Sequence, residues 1–455
     1  MEDSLLDANA AGSASTVINS AAAPPRSNLR WVLAAAFALN MFCSHWSRDS
    51  LGALEVPLET STLTNLTVTE YNSLSSAYFL PNVIVPLAAG TVAQCERRQN
   101  GAHTFLFFSV LAALGNAVVL CTALLPLVHS TRYVMLLAGR FLTGCSYEAL
   151  DFLPTGMVAH RFPDHWGKMV GVVNGCNRLG SILNFVVEPL LYRSFGLRIA
   201  LVVPSVIGMC CLLTGTLMHR ADFALARKEE QAASANAPPA SDEEGDTPPP
   251  ASYKRDLLCN PGYWLYVAGA ACVYGSVVPF WFIGAKTLQS RFGIDLATAD
   301  AMILLPEGSI LVVGPLIGVL SDRWRLGVRA LLLSGACSLA LIPAALLSLA
   351  WLPLPDGSVL PVMVALGLGY AAAQNLLWTA LPAMLPRGVL MIGAGVMACS
   401  LNLLPALLPV VAFRGHGSAD LTVLAAVGVV GCVALVLAAV CARAGEISRT
   451  VVSAS

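Results

Sequence analysis

Charge is what this 455-residue chain has least of: Asp, Glu, Lys and Arg together make up 12%, about half the roughly 25% of a soluble domain. A soluble fold of this length needs far more charged surface. The net charge of −1 gives no field to attract nucleic acid. Thirteen cysteines are present, yet no CxxC or Cys/His pair has metal-site spacing. Most lie inside apolar runs, Cys210–Cys211 and Cys432 among them, and read as small packing residues rather than a disulfide framework. No GxSxG, HExxH, P-loop or paired-Asp arrangement is present, so the sequence offers no catalytic set, no enzyme chemistry and no cofactor site. The polar stretch 220–258 is too short for a nucleotide-binding domain, which leaves ion or solute gradients to drive any transport. A cleavable signal peptide is not expected, because a long polar stretch precedes the first apolar run and that run is long enough to remain a span.

Hydrophobic residues fill the space that charge leaves, at 56% of the chain. A bilayer-crossing helix needs roughly 20 mostly apolar residues. Runs of that kind fall at 31–52, 71–93, 104–126, 133–158, 169–191, 199–219, 262–284, 297–320, 329–352, 360–383, 389–411 and 421–443. In lipid the backbone must satisfy its own hydrogen bonds, so each run is expected to be helical, and a barrel would show short alternating segments instead. The chain therefore reads as an all-α membrane protein of twelve spans. Its expected divisions are a disordered tail (1–29), a six-helix bundle (30–219), a polar loop (220–258), a second six-helix bundle (259–444) and a tail (445–455). Residues 237–250, rich in Pro, Ala, Glu and Asp, have the composition of a disordered linker.

Orientation follows from Lys and Arg. With both termini and the central loop on one side, that side holds 17 of the 26 and the opposite side 7, with Arg140 and Arg178 inside spans. The richer side is expected to be cytoplasmic. The sequon Asn65-Leu-Thr67 then lies on the opposite, luminal or outer side, as glycosylation requires.

Glu148 and Arg178 lie deep in consecutive spans, where an ionisable group costs several kcal/mol unless paired or hydrated. In the fifth span Asn174, Asn177, Arg178, Ser181, Asn184 and Glu188 trace one helical face, expected to line a cavity or an interhelical interface. Arg140, Gly144 and Glu148 share a face of the fourth span, with Tyr147 and Asp151 beside them. Arg140 and Glu148 stand roughly 12 Å apart along the axis, too far to pair, which makes Arg178 the expected partner of Glu148. The seventh span carries Tyr274, Val278 and Trp281 in register, and the tenth carries Tyr370, Gln374 and Trp378 with Asn375 beside them; packing and ligand contact remain open for both stripes. His45 and Asp49 are one turn apart and are candidates to titrate together. Glu307, between Pro306 and Gly308, marks a candidate helix break or gate.

Gly318-Val-Leu-Ser-Asp322-Arg323, after the eighth span, resembles the loop motif of the major facilitator superfamily. Gly90-Thr-Val-Ala-Gln94, followed by Arg97 and Arg98, is its first-half counterpart, with Gln where that family usually has Asp. Gly139-Arg140-Phe141 with Gly144 is similar to the family's fourth-helix motif. Within the superfamily, Tyr78-Phe-Leu-Pro-Asn-Val83, Gly139 through Leu150, Arg178-Leu-Gly-Ser-Ile-Leu-Asn184, Pro279 through Lys286, and Phe292-Gly resemble the lysosomal dipeptide transporter branch. Ser146-Tyr147 stand where that branch has Gly-Gly. The resemblance implies two six-helix bundles related by a pseudo-two-fold axis, facilitated export from the lysosome, and Glu148 and Arg178 as holders of a dipeptide's termini. It also implies a luminal glycoprotein partner and an N-terminal dileucine signal, to which Glu2-Asp-Ser-Leu5-Leu6 is similar.

The expectation is therefore a transporter of small zwitterionic solutes, dipeptides first, by alternating access in the lysosomal membrane. Asn177, Asn184, Tyr274, Gln374 and Trp378 are expected to help hold the solute. His45, Asp49, Arg140 and Glu307 are the candidates for proton or gating roles. Two alternatives fit the same residues: a proton-coupled symporter of an amino acid, sugar or organic acid, placed at the lysosome or the plasma membrane, and a non-transporting sensor on the same scaffold.

Overall fold

A computed structural model of the chain describes residues 28–96, 98, 100–235, 252–355, 357–411 and 417–454. Each apolar run is helical. The first span is Leu29–Ala53, the third Ala102–Leu124 and the fourth His129–Phe152. The second is broken into Val68–Asn82 and Val85–Cys95, between Pro81 and Pro86. Proline lacks the N–H and crowds the preceding turn, so a break there is expected. The fifth and sixth spans form one run, Trp166–Ala235, kinked at Gly196 with φ +77°; that left-handed backbone suits glycine alone.

The second half repeats the plan. It comprises Pro261–Phe292, a broken eighth span (Leu296–Ile303 then Leu305–Arg323), Val328–Trp351, Val359–Met384, Arg387–Val411 and Gly417–Ala454. Pairings recur six spans later. The third packs on the fourth as the ninth packs on the tenth, and the second on the fourth as the eighth on the tenth. The first lies against the fifth–sixth run as the seventh lies against the eleventh and twelfth. The two halves meet along the fifth and eighth spans and along the second and eleventh, an arrangement that a pseudo-two-fold axis generates.

Two boundaries differ from expectation. Helix continues past 220 to Ala235, because 220–235 hold Ala, Arg, Lys and Glu, all good helix formers in water, and the twelfth helix continues past 445 to Ala454. The dileucine-like Leu5-Leu6 and the linker 237–250 lie outside the described residues.

The turns alternate between two faces. The near face holds Leu29, the turn 95–101 and the turn 323–328; the far face holds 53–68, 124–129 and 351–359. Large side chains such as Phe107, Leu213, Val312 and Val430 stand exposed around the bundle, an apolar belt suited to acyl chains. Close backbone approach is made by glycine, as is usual where lipid gives no hydrophobic drive. A methyl on Gly318 would collide with the Gly167 carbonyl, and one on Gly171 with that of Gly314.

Candidate functional site

A cavity of about 100 Å³ lies between the halves, several times the roughly 10–15 Å³ that one buried water requires. The first span contributes His45 and Arg48, the fourth Glu148, Asp151 and Thr155, and the fifth Trp166, Asn174, Asn177 and Arg178. The second half contributes Tyr274, Gln374, Trp378 and Asn402. Arg178 sits about 18 Å from the start of its helix at 1.5 Å per residue, near mid-depth of the membrane. A larger space of about 560 Å³ opens toward the near face and shares Thr155 and Trp166 with the cavity.

Charge in the cavity is unevenly matched. Arg48 is taken by its neighbour Asp49, Nε to Oδ1 at 2.6 Å. Arg178 meets Glu307 of the eighth span, Nη1 to Oε2 at 2.5 Å, with side chains 7% and 13% exposed. The ion pair expected between Arg178 and Glu148 is therefore replaced by one that crosses the halves. Sequence spacing could not show this, because Glu307 is 129 positions away and reaches Arg178 only through tertiary packing. Among the described residues Glu148 has no Lys or Arg in ion-pair contact, and Asp151 meets only His45, 3.1 Å from its Nε2. Two carboxylates thus face a cavity whose two arginines are already engaged.

His45 is a junction. Its Nε2 lies 3.1 Å from Asp151 Oδ2 and 2.7 Å from Asn177 Nδ2. Asp49 faces Arg48 instead, so the expected His45–Asp49 pair is not formed. Buried polar atoms without a protein partner gather at this cavity: His45 Nδ1, Asp151 Oδ1, Trp166 Nε1, Asn174 Nδ2, Asn177 Oδ1, Arg178 Nε and Gln374 Oε1. Unpaired buried polar groups are costly, so their concentration here points to a place built for a polar guest.

Other expected residues fall elsewhere. The fifth-span stripe divides: Asn174, Asn177 and Arg178 face the cavity, whereas Asn184 turns inward and donates to Glu188 at 3.5 Å. Glu188 in turn accepts from the Trp46 indole at 2.9 Å. Arg140 donates to the Arg48 carbonyl at 2.9 Å and stacks over Tyr78 at 4.6 Å, holding the first, second and fourth spans together beside the cavity. Asp322 accepts from the N–H groups of Gly167 and Lys168 at 2.8 and 2.7 Å. Gly318 meets Gly167 backbone to backbone, and Arg323 ends the eighth helix.

Sequence reasoning did not assign several polar lining residues to the site, among them Arg48, Asp151, Asn402, Thr155 and Trp166. Arg48 lies at the end of the expected first span, 31–52, and reads with the charges of the far side, whereas it lines the cavity. Asp151, three residues after Glu148, shares its face, a signal that was available. Asn402 is an isolated polar residue in an apolar run and gave no pattern.

Comparison with known proteins agrees with this architecture. A family model described as Major Facilitator Superfamily matches residues 37–409. A sequence search of curated proteins finds no match. Among solved structures, the chain is similar to the proton:xylose symporter XylE bound to a bromo-deoxyglucose (TM-score 0.64, 13% identity, 89% of this chain and 95% of that one). It is also similar to FucP in the outward conformation (0.60, 13%, 90% and 99%). A bacterial homologue of the iron transporter ferroportin, outward-facing, matches at 0.63 with 14% identity, over 91% and 98%. At such identities the likeness is one of fold.

Proposed function

The chain belongs to the major facilitator superfamily, and from that premise we propose that it carries small zwitterionic solutes, dipeptides foremost, across a membrane by alternating access. One observation supports this most: Glu148, without a cationic partner, and Arg178, with Nε unpaired, face one cavity between the halves. An ammonium beside Glu148 and Asp151 supplies the missing positive charge. A carboxylate suits the guanidinium fork of Arg178. Asn177, Gln374 and Asn402 offer amides to a peptide bond, and Tyr274 and Trp378 flank the side chains. The near face, rich in Lys and Arg, is cytoplasmic in this reading, and the solute leaves past Trp166 into the wider space beyond. We place the protein in the lysosomal membrane on its likeness to that branch, with a luminal glycoprotein as candidate partner.

Uptake of a labelled dipeptide into proteoliposomes tests the reading. Glu148→Gln and Arg178→Ala each remove a charge-assisted contact of about 1.5–3 kcal/mol, so uptake at low solute should drop at least about tenfold. Near-wild-type uptake by both variants would overturn the assignment.

A second reading has its own support. A buried carboxylate without a counter-charge takes up a proton or a cation, and Glu148 and Asp151 both fit that description beside His45. Proton-coupled movement of an amino acid, sugar or organic acid is the alternative, and two similar structures are of proton symporters, for xylose and for fucose. An imposed pH gradient that drives uptake of an uncharged sugar, with no response to dipeptides, selects it.

A further inference from the structure

Resting on the zwitterion reading, we infer that the Arg178–Glu307 bridge is a latch between the halves, and that the carboxylate of the solute opens it by replacing Glu307 on Arg178. The bridge joins the fifth span to the eighth, which belong to different halves. It is a single close contact, Nη1 to Oε2, that leaves Glu307 Oε1 and Arg178 Nε without a partner. A bidentate carboxylate on the guanidinium fork makes two aligned, charge-assisted bonds, so a guest outcompetes Glu307 in geometry while matching it in charge.

The local backbone allows Glu307 to leave. The eighth span breaks between Ile303 and Leu305, with Pro306 at the start of its second segment, so the first turn carrying Glu307 is not braced by a continuous helix. Nothing lies within 4 Å of where a Cβ would stand on Gly308, which leaves this turn loosely packed on one side. Toward the near face the same two helices are fitted by Gly171 against Gly314 and Gly167 against Gly318. That part of the interface is shape-locked, and its charged contact, Asp322 on the N–H groups of Gly167 and Lys168, lies outside the cavity lining. The bridge is the part of the fifth–eighth contact that a charged guest can change. Binding and separation of the halves then become one event, because a ligand shifts a conformational equilibrium only through contacts that differ between its states.

The test uses the purified full chain with alanyl-alanine and its C-terminal amide, read by calorimetry, and hydrogen exchange over 174–181 and 303–311. Glu307→Gln removes the competitor, so alanyl-alanine should bind about tenfold tighter, within the 5–150-fold span of typical couplings. Exchange in both segments, without solute, should rise to the level that saturating alanyl-alanine produces in the wild type. The amide, which lacks the carboxylate, should raise exchange in neither protein. Unchanged affinity and exchange in Glu307→Gln, with the wild type binding normally, sinks the latch alone. A wild type that binds no dipeptide sinks the zwitterion reading and the carboxylate key together, and unchanged exchange in solute-free Glu307→Gln then removes the latch as well. The charge reversal Arg178→Glu/Glu307→Arg provides a second, bridge-restoring variant: low exchange with lost dipeptide binding supports the latch, and high exchange opposes it.

Discussion

Gln94 reaches across the two halves to Met391. The Met391 N–H donates to its Oε1 at 3.0 Å, and its Nε2 donates to the Arg387 carbonyl at 3.1 Å. Asp322 makes the symmetry-related clasp, accepting from Gly167 and Lys168 at the start of the fifth span. Both clasps sit at the near face and tie the two halves together there. The chemistry differs: Asp322 sets a full charge on the N-terminus of a helix, where the dipole favours it, whereas Gln94 is neutral and splits its bonds between a donor and an acceptor.

The two clasps should therefore be unequal. Hydrogen bonds to a charged group contribute about 1.5–3 kcal/mol and neutral ones about 0.5–1.5. Asp322→Ala should open the near face more than Gln94→Ala, measured by labelling a cysteine placed at Thr155 with a membrane-impermeant reagent in a cysteine-free background. Gln94→Asp should not strengthen the clasp, because an ionised Asp cannot donate to the Arg387 carbonyl. Equal labelling of Asp322→Ala and Gln94→Ala would contradict the charge argument.

How much of this was readable beforehand depends on range. Helical runs are local, and every span is present where the apolar count places it. Glu148 and Arg178 were legible as costly charges, since burial cost follows from residue type and depth alone. Their partners were not. Glu307, Asn402 and the first-span Arg48 come together only through packing of helices distant in sequence, and a single chain carries no periodicity for that. Asn184 shows the converse error: it shares a helical face with Asn177, but two turns further along the same face meets Trp46 and Glu188 rather than the cavity. Helix ends past 220 and 445 escaped because apolar counting stops where the membrane does.

The glycine contacts between the fifth and eighth spans give a steric prediction. Gly318→Ala would place a methyl against the Gly167 backbone, which cannot give way as a flexible side chain does. Overpacking of this kind costs about 1–3 kcal/mol. The expected result is a lower melting temperature and loss of transport, with solute affinity falling less than turnover because the cavity lies farther along the interface. Gly308→Ala, with open space around it, serves as the control and should behave like wild type.

His129 ties the far face of the first half together. Its Nε2 lies 3.0 Å from Glu70 Oε1 and its Nδ1 2.8 Å from the Thr64 carbonyl. It stands before the apolar stretch that begins at Tyr133. The hydrogen bonds to Glu70 and Thr64 raise its pKa above the ordinary 6.5. A raised folded value means that the stabilisation is complete below the unfolded value and disappears as pH rises through the folded one. The melting-temperature gap between wild type and His129→Gln should thus be wide at about pH 5.5 and narrow at about pH 8.5. A gap of equal size at both would show that the protonated ring is not its source. If the far face is luminal, an acidic compartment keeps this clasp closed.

Tyr147 is the residue whose bulk, one position before Glu148, invites the expectation of a narrower site than the Gly-Gly of the dipeptide branch leaves. Its side chain points the other way. The ring is buried against Tyr78, and its hydroxyl accepts from Asn116 Nδ2 at 2.7 Å, while Asn116 Oδ1 accepts from Ser47 at 2.6 Å. Tyr147 thus braces the first, third and fourth spans and is not among the residues that line the cavity. Tyr147→Phe should cost about 1 kcal/mol of stability through one lost hydrogen bond and leave the ranking of solutes unchanged. Tyr147→Gly should be far less stable, since removing a buried aromatic side chain costs about 3–5 kcal/mol. Its selectivity, measured on whatever folds, should still match the wild type. A gain of larger solutes in Tyr147→Gly at constant Glu148 geometry would mean that the ring does bound the site.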